Sequence, residues 1–109
     1  MINDKLINPS GIVVVGGSED LLKPGGKILK NIIDGAYTGD LFVVNPKQDT
    51  VQGVKSYRDI RDIPPVDLAI LAIPSKYCLE VVEVLTREKN TLAFIIISAG
   101  FSESGEEGR

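Results

Sequence analysis

Four apolar runs stand out along the chain: IVVV at 12–15, LFVV at 41–44, LAILAI at 68–73 and LAFIII at 92–97. Each is continuous rather than alternating, as expected for strands of a parallel sheet whose two faces are both covered by helices. Between the runs the period changes. Over 26–34, Ile28, Leu29, Ile32 and Ile33 fall on one helical stripe, with Pro24 near its start and Gly35 placed to cap its end. Over 76–89, Cys78, Val81, Val82 and Leu85 recur at i, i+3, i+4 and i+7, with Ser75 in the N-cap position. The segment SYRDIRDIPP carries a Ser56-to-Asp59 capping pattern and is stopped by Pro64 and Pro65, which predicts a small helix. VKSY at 54–57 predicts a brief edge strand.

This alternation predicts an α/β domain, a Rossmann-like doubly wound parallel sheet with helices on both faces. Right-handed crossovers leave one sensible strand order, 3-2-1-4-5, with VKSY third and IVVV central. Ligands in such sheets bind over the carboxyl ends of the strands, where the winding reverses. The loops at 16–25, 45–48, 74–77 and 98–102 border that crevice. Ser104 and Glu107 form a capping box that announces a helix, so 1–109 is expected to be one domain of a longer protein.

With 43% hydrophobic residues, a domain of 109 residues can bury a core without disulfides or structural metal. Net charge is −3 with acids and bases interspersed, which disfavours nucleic acid as a partner. The run at 92–97 is too short to span a bilayer. Asn3, Asp4, Lys5 and Asn8 stand where a secretory signal needs an apolar core, so a soluble, cytoplasmic protein is expected. Cys78 is the one cysteine, which rules out an internal disulfide, and no Cys/His cluster is present for a metal. Histidine is absent, which excludes a His-based triad and a phosphohistidine within these residues. No catalytic residue is therefore assigned to this chain.

The glycine loop GGSEDLLKPGG follows the central strand but matches neither common phosphate motif. Gly26-Lys27 is followed by Ile28, and position 21 is Leu, so a Walker A loop fails; Ser18 and Leu21 break GxGxxG. Gly16, Gly17 and Ser18 instead leave room for a ligand to approach backbone N–H groups. Gly25 and Gly26 are expected to do the same at a helix N-terminus, where the macrodipole favours an anion. The bland alternative is a tight strand-to-helix turn. After the second strand, Asn45-Pro46-Lys47 replaces the acid that would hold an unphosphorylated ribose in an NAD site. A lysine behind a rigid proline turn suits a phosphate on the adenosine ribose, against the alternative of a solvated surface lysine. Pro74 and Ser75 line the crevice floor. Ser98 and Ala99 are small enough to let a narrow ligand pass, and Cys78 belongs to the core stripe.

Four stretches, VVVGGSED…KPGGKILKNI, GDLFVVNPK, DIPPVDLAILAIP and IIISAGFSESGEEG, resemble NDP-forming acyl-CoA synthetases in order and spacing. The chain is most similar to the N-terminal coenzyme A-binding domain of ADP-forming acetate–CoA ligases, relatives of the succinyl-CoA synthetase α subunit. The resemblance implies a Rossmann-type domain that holds CoA or acyl-CoA. Gly16, Gly17, Ser18, Glu19 and Asp20 would then surround the CoA phosphates, and Lys47, after Asn45 and Pro46, would address the phosphorylated adenosine. Pro74 and Ser75 would line the crevice, while Ile97, Ser98 and Ala99 flank the pantetheine arm. The acids Glu19 and Asp20 depart from the neutral or basic residues of many relatives, and Lys23 or Lys27 would compensate. The family interconverts acyl-CoA, ADP and phosphate with acid, CoA and ATP. Its phosphohistidine and its ATP-grasp module, which takes ATP or ADP with magnesium, belong to other domains or a β subunit.

Two rival functions share parts of this pattern. One is a non-catalytic CoA-binding regulatory module, stand-alone or attached to a protein lysine acetyltransferase. The other is an NADP-dependent oxidoreductase domain, which Lys47 permits and the missing GxGxxG opposes.

Overall fold

The computed structural model describes residues 10–35 and 37–97. Among them lie strands β1 (Gly11–Val15), β2 (Asp40–Val44), β3 (Thr50–Val51), β4 (Val54–Tyr57), β5 (Leu68–Leu71) and β6 (Ala93–Ile96). Helix α1 (Pro24–Asp34) joins β1 to β2, and α2 (Ser75–Lys89) joins β5 to β6. The strands form one sheet in the order β3-β4-β2-β1-β5-β6. Every pairing is parallel except β3 with β4. The predicted order 3-2-1-4-5 is thus present as β4-β2-β1-β5-β6.

The continuous apolar runs are explained by two cores, one on each face. Val13 and Val15 of β1 join Ala69, Leu71, Cys78 and Leu85 beneath α2. Ile12 and Val14 join Val43, Leu68, Ile70 and Leu29 beneath α1. Successive side chains of the central strand point to opposite faces, and both faces are dry, so neither set can be polar. Cys78 is 6% exposed and packs in the first core, as its place on the helical stripe predicts.

Tertiary pairing overrides local signals at several points. Ser56 does not cap a helix: it lies in β4 opposite Val43 of β2, buried, with a hydroxyl that has no hydrogen-bond partner. The strand ladder claims the segment first, and Asp59 caps a 3-10 turn at Ile60–Asp62 by accepting from the Arg61 N–H. β4 is also not the edge strand, because the two residues of β3 fold back against it as a hairpin. Helix α1 starts at Pro24, immediately before the glycine pair and two residues ahead of the periodic stretch that begins at Gly26. Ser75 is the first residue of α2 and Pro74 the N-cap, without a side-chain capping bond. Gly35 stands at the C-cap of α1 with φ −78, and its N–H donates to the Asn31 carbonyl, so no left-handed residue is needed there. The capping box at Ser104 and Glu107 lies outside the described residues.

Candidate functional site

At the carboxyl ends of the strands the hydrogen-bond ladder runs on by one residue. Asn45 N–H donates to Tyr57 O, Gly16 N–H to Val44 O, Ala72 N–H to Val15 O and Ile97 N–H to Leu71 O, at 2.8–2.9 Å. These four bonds hold Asn45, Gly16, Ala72 and Ile97 in a row across the sheet. Three of the four predicted crevice loops therefore leave from one rigid rim within the described residues. The fourth contributes Ile97, whereas Ser98 and Ala99 lie outside those residues.

Gly16 turns the chain sharply off β1. Its φ is +89, and a Cβ there would run into the carbonyl of Ala72 beyond β5. The loop then folds on itself. Asp20 N–H donates to Ser18 Oγ at 2.9 Å, Leu22 N–H to Asp20 Oδ1 at 2.9 Å, and Lys23 N–H to Asp20 O at 3.1 Å. The first two are short-range side-chain turns of the kind that Ser and Asp favour, and the third is a backbone turn. The carboxylate of Asp20 is thus engaged with the loop's own backbone.

Gly25 and Gly26 differ from expectation. Both are buried, and a Cβ on either would overlap the carbonyl of Gly16 or of Asp20. The space that glycine provides here is filled by the loop itself, so this pair serves close helix-to-loop packing; Gly16 and Gly17 are likewise packed, against the Ala72 carbonyl and Val43 Cγ1.

Asn45 links the first two loops. Its Nδ2 donates to Gly17 O at 3.0 Å, and its Oδ1 accepts the Lys47 N–H at 2.8 Å. The proline turn at Pro46 is thereby fixed beside the glycine loop, with Lys47 exposed at its tip. None of the ion pairs among the described residues involves Lys23, Lys27 or Lys47. Pro74 and Ser75 are exposed where α2 begins, and the Pro74 carbonyl accepts the Tyr77 N–H at 3.0 Å.

Gln52 is a site neighbour that sequence reasoning missed. It occupies the β3–β4 turn with φ +51, and its Nε2 donates to Ser18 O at 2.8 Å and Gly26 O at 3.0 Å. Its backbone N–H donates to Glu19 Oε2 at 2.9 Å. The Glu19 carboxylate is thus held by the hairpin. The QG dipeptide before VKSY was the available hairpin signal, but the contact with a loop more than thirty residues away has no local signature.

A groove of about 350 Å³ runs from the start of α1 to the end of β6, lined by Leu22, Pro24, Lys27, Ile28, Asn31 and Ile97. Its walls are mostly apolar, with one ammonium and one amide. No group of three or more His, Cys, Asp or Glu among the described residues is arranged to hold a metal ion. No helix among them is long and apolar enough to cross a membrane.

The model of the CoA binding domain family matches residues 10–107. Over 107 residues the chain is 40% identical to acetate–CoA ligase (ADP-forming) II subunit alpha of Pyrococcus furiosus, covering 97% of this chain and 23% of the relative. It is 38% identical to trans-feruloyl-CoA synthase FCS1 of an unknown prokaryote, covering 96% of this chain and 15% of the relative. Among solved structures it is similar to the dinucleotide-forming acetyl-coenzyme A synthetase 1 of Ca. Korarchaeum cryptofilum, in complex with phosphate and ADP. That match has a TM-score of 0.82 and 35% identity, over 95% of this chain and 22% of the other. The chain thus spans less than a quarter of the length of these relatives. A doubly wound sheet, a glycine loop and an Asn-Pro-Lys turn meeting at one rim, and a family match over nearly every residue lead to one conclusion: this chain belongs to the CoA-binding domain family, the family that ADP-forming acetate–CoA ligases share.

Proposed function

We propose that the chain is the CoA-binding module of an ADP-forming acyl-CoA synthetase. The observation that carries this reading is the Asn45 bridge, which sets the Lys47 turn against the glycine loop at the winding reversal. The donor set fits coenzyme A. Gly17 and Ser18 offer backbone N–H groups to the pyrophosphate, while Gly16, whose own N–H is held by Val44 O, turns the loop toward it, with Lys23 and Lys27 as exposed cations nearby. Lys47 addresses the phosphate on the adenosine ribose. Glu19 and Asp20 shape the loop through their hydrogen bonds and do not themselves bind phosphate. The pantetheine arm follows the apolar groove past Ile97 toward Ser98 and Ala99, with Pro74 and Ser75 on the opposite side of the crevice.

The module positions CoA or acyl-CoA for the reversible exchange of acyl-CoA, ADP and phosphate with acid, CoA and ATP. ATP, ADP and magnesium are handled by further domains or a β subunit, in the cytoplasm. The full-length relatives, several times longer than this chain, support that division. A histidine that carries a phosphoryl group must come from those parts, because this sequence contains none. By itself the domain binds and does not catalyse. Relatives named for acetate and for ferulate are similarly close, which supports acyl selection outside this domain.

Calorimetric titration with CoA, dephospho-CoA and NADP tests the reading. CoA is expected to bind most tightly, dephospho-CoA less so and NADP hardly at all. Tight NADP binding would move the chain to the oxidoreductase alternative.

A further inference from the structure

The β3–β4 turn is made by Gln52 and Gly53, with φ of +51 and +82. Positive φ at both central positions is the type I′ geometry, for which Asn-Gly is the favoured pair. A glutamine in the left-handed region carries a backbone cost that asparagine largely avoids. Turn propensity therefore does not explain this residue. Its side chain does. Each of the two amide hydrogens has its own carbonyl, Ser18 O at one end of the glycine loop and Gly26 O at the other. Its backbone N–H holds the Glu19 carboxylate between them. Asparagine, one methylene shorter, would not span from the turn to both carbonyls. A local rule is broken at the place where a long-range contact needs it broken, and such conflicts concentrate at functional sites.

We infer that Gln52 is a positioning residue that clips both ends of the glycine loop to the β3–β4 hairpin and presets the loop for coenzyme A. The inference rests on the CoA-binding reading given above. Unclipped, the loop keeps its short-range turns at Asp20, Leu22 and Lys23, the Asn45 bond to Gly17 and the backbone bond to Glu19. The span from Ser18 to Gly26 loses its side-chain tie, however, and must be ordered when the ligand binds. That ordering weakens affinity. The clip also accounts for an acid in an anion-binding loop, because the Glu19 carboxylate is drawn onto the hairpin.

The test compares wild type with Gln52→Asn, which restores the preferred turn pair while removing the reach. Thermal stability is expected to stay level or rise. Amide exchange at Asp20, Leu22 and Lys23 in the ligand-free protein is expected to quicken about tenfold, and CoA affinity to fall about tenfold, as for the loss of one to two net hydrogen bonds. Gln52→Glu, which places a carboxylate against two carbonyls, is expected to bind more weakly still. Unchanged exchange in the loop overturns the clip whether or not ligand binds. A loss of affinity matched by an equal loss of stability also overturns it, since that marks a general structural role. Wild type that binds CoA beside an unimpaired Gln52→Asn overturns the inference alone, whereas wild type that fails to bind CoA overturns the ligand reading beneath it.

Discussion

The side-chain amide of Asn45 donates to the Gly17 carbonyl at 3.0 Å and accepts the Lys47 N–H at 2.8 Å, so one residue fixes two loops that leave adjacent strands. Asn45→Asp keeps the acceptor for Lys47 but turns the donor into an oxygen facing the Gly17 carbonyl. This substitution is expected to cost about 1–3 kcal/mol in stability, as for a part-buried bond replaced by a repulsive contact. CoA affinity is expected to fall about tenfold. Urea unfolding and calorimetry check the two effects. Unaltered affinity would separate the Lys47 turn from the ligand.

Lys47 itself is exposed, with its backbone held and its ammonium outside the ion pairs of the described residues. Lys47→Ala is expected to weaken CoA by about tenfold, which corresponds to ~1.4 kcal/mol. Dephospho-CoA should be nearly unaffected. Equal losses for both ligands would show that Lys47 does not contact the ribose phosphate. Raising salt should shrink the difference, because the contact is solvent-exposed.

Gly16 and Gly53 provide a matched pair, with φ of +89 and +82. A Cβ at Gly16 would overlap the Ala72 carbonyl and lie 3.0 Å from Ile73 Cγ2, whereas one at Gly53 meets nothing within 4 Å. Gly53→Ala carries only the left-handed penalty of roughly 1–2 kcal/mol. Gly16→Ala adds a backbone collision and is expected to cost about 3 kcal/mol or more. Equal unfolding free energies for the two variants would refute the close packing of the loop against the end of β5.

Tyr37 supplies a test at alkaline pH. Burial, followed by the negative charges of Asp40 and Asp67, holds its phenol above the ordinary value of 10.0. The folded protein therefore keeps this proton to higher pH than the unfolded chain. Its contribution is complete below the unfolded value and is lost as pH rises through the folded one. Wild type should lose stability relative to Tyr37→Phe above about pH 10. A stability difference that does not change between neutral and alkaline pH would contradict the shift.

The parallel sheet was legible because its strands are buried on both faces, so residues such as Val13, Val14, Ile70 and Leu71 must be apolar whatever their neighbours. Helices α1 and α2 were legible from their stripes, and the row of loops at the carboxyl ends of the strands followed from connection rules applied to them. Where local signals competed with distant pairing, distant pairing prevailed. Ser56 had the spacing of a cap, yet the ladder with Val43 drew it into β4.

Local chemistry in the sequence thus determined which segments become strands and helices, the order of the central strands, and the presence of a glycine loop and a lysine turn at their ends. Tertiary structure alone decided how the loop is held. Gly25 and Gly26 pack against the loop's own carbonyls, Asn45 reaches Gly17, and Gln52 reaches Ser18 and Gly26 from a hairpin on the far side of β2. Periodicity reports burial along a single element. A hydrogen bond between residues tens of positions apart depends on how several elements are placed together, and no stretch of the chain encodes that by itself.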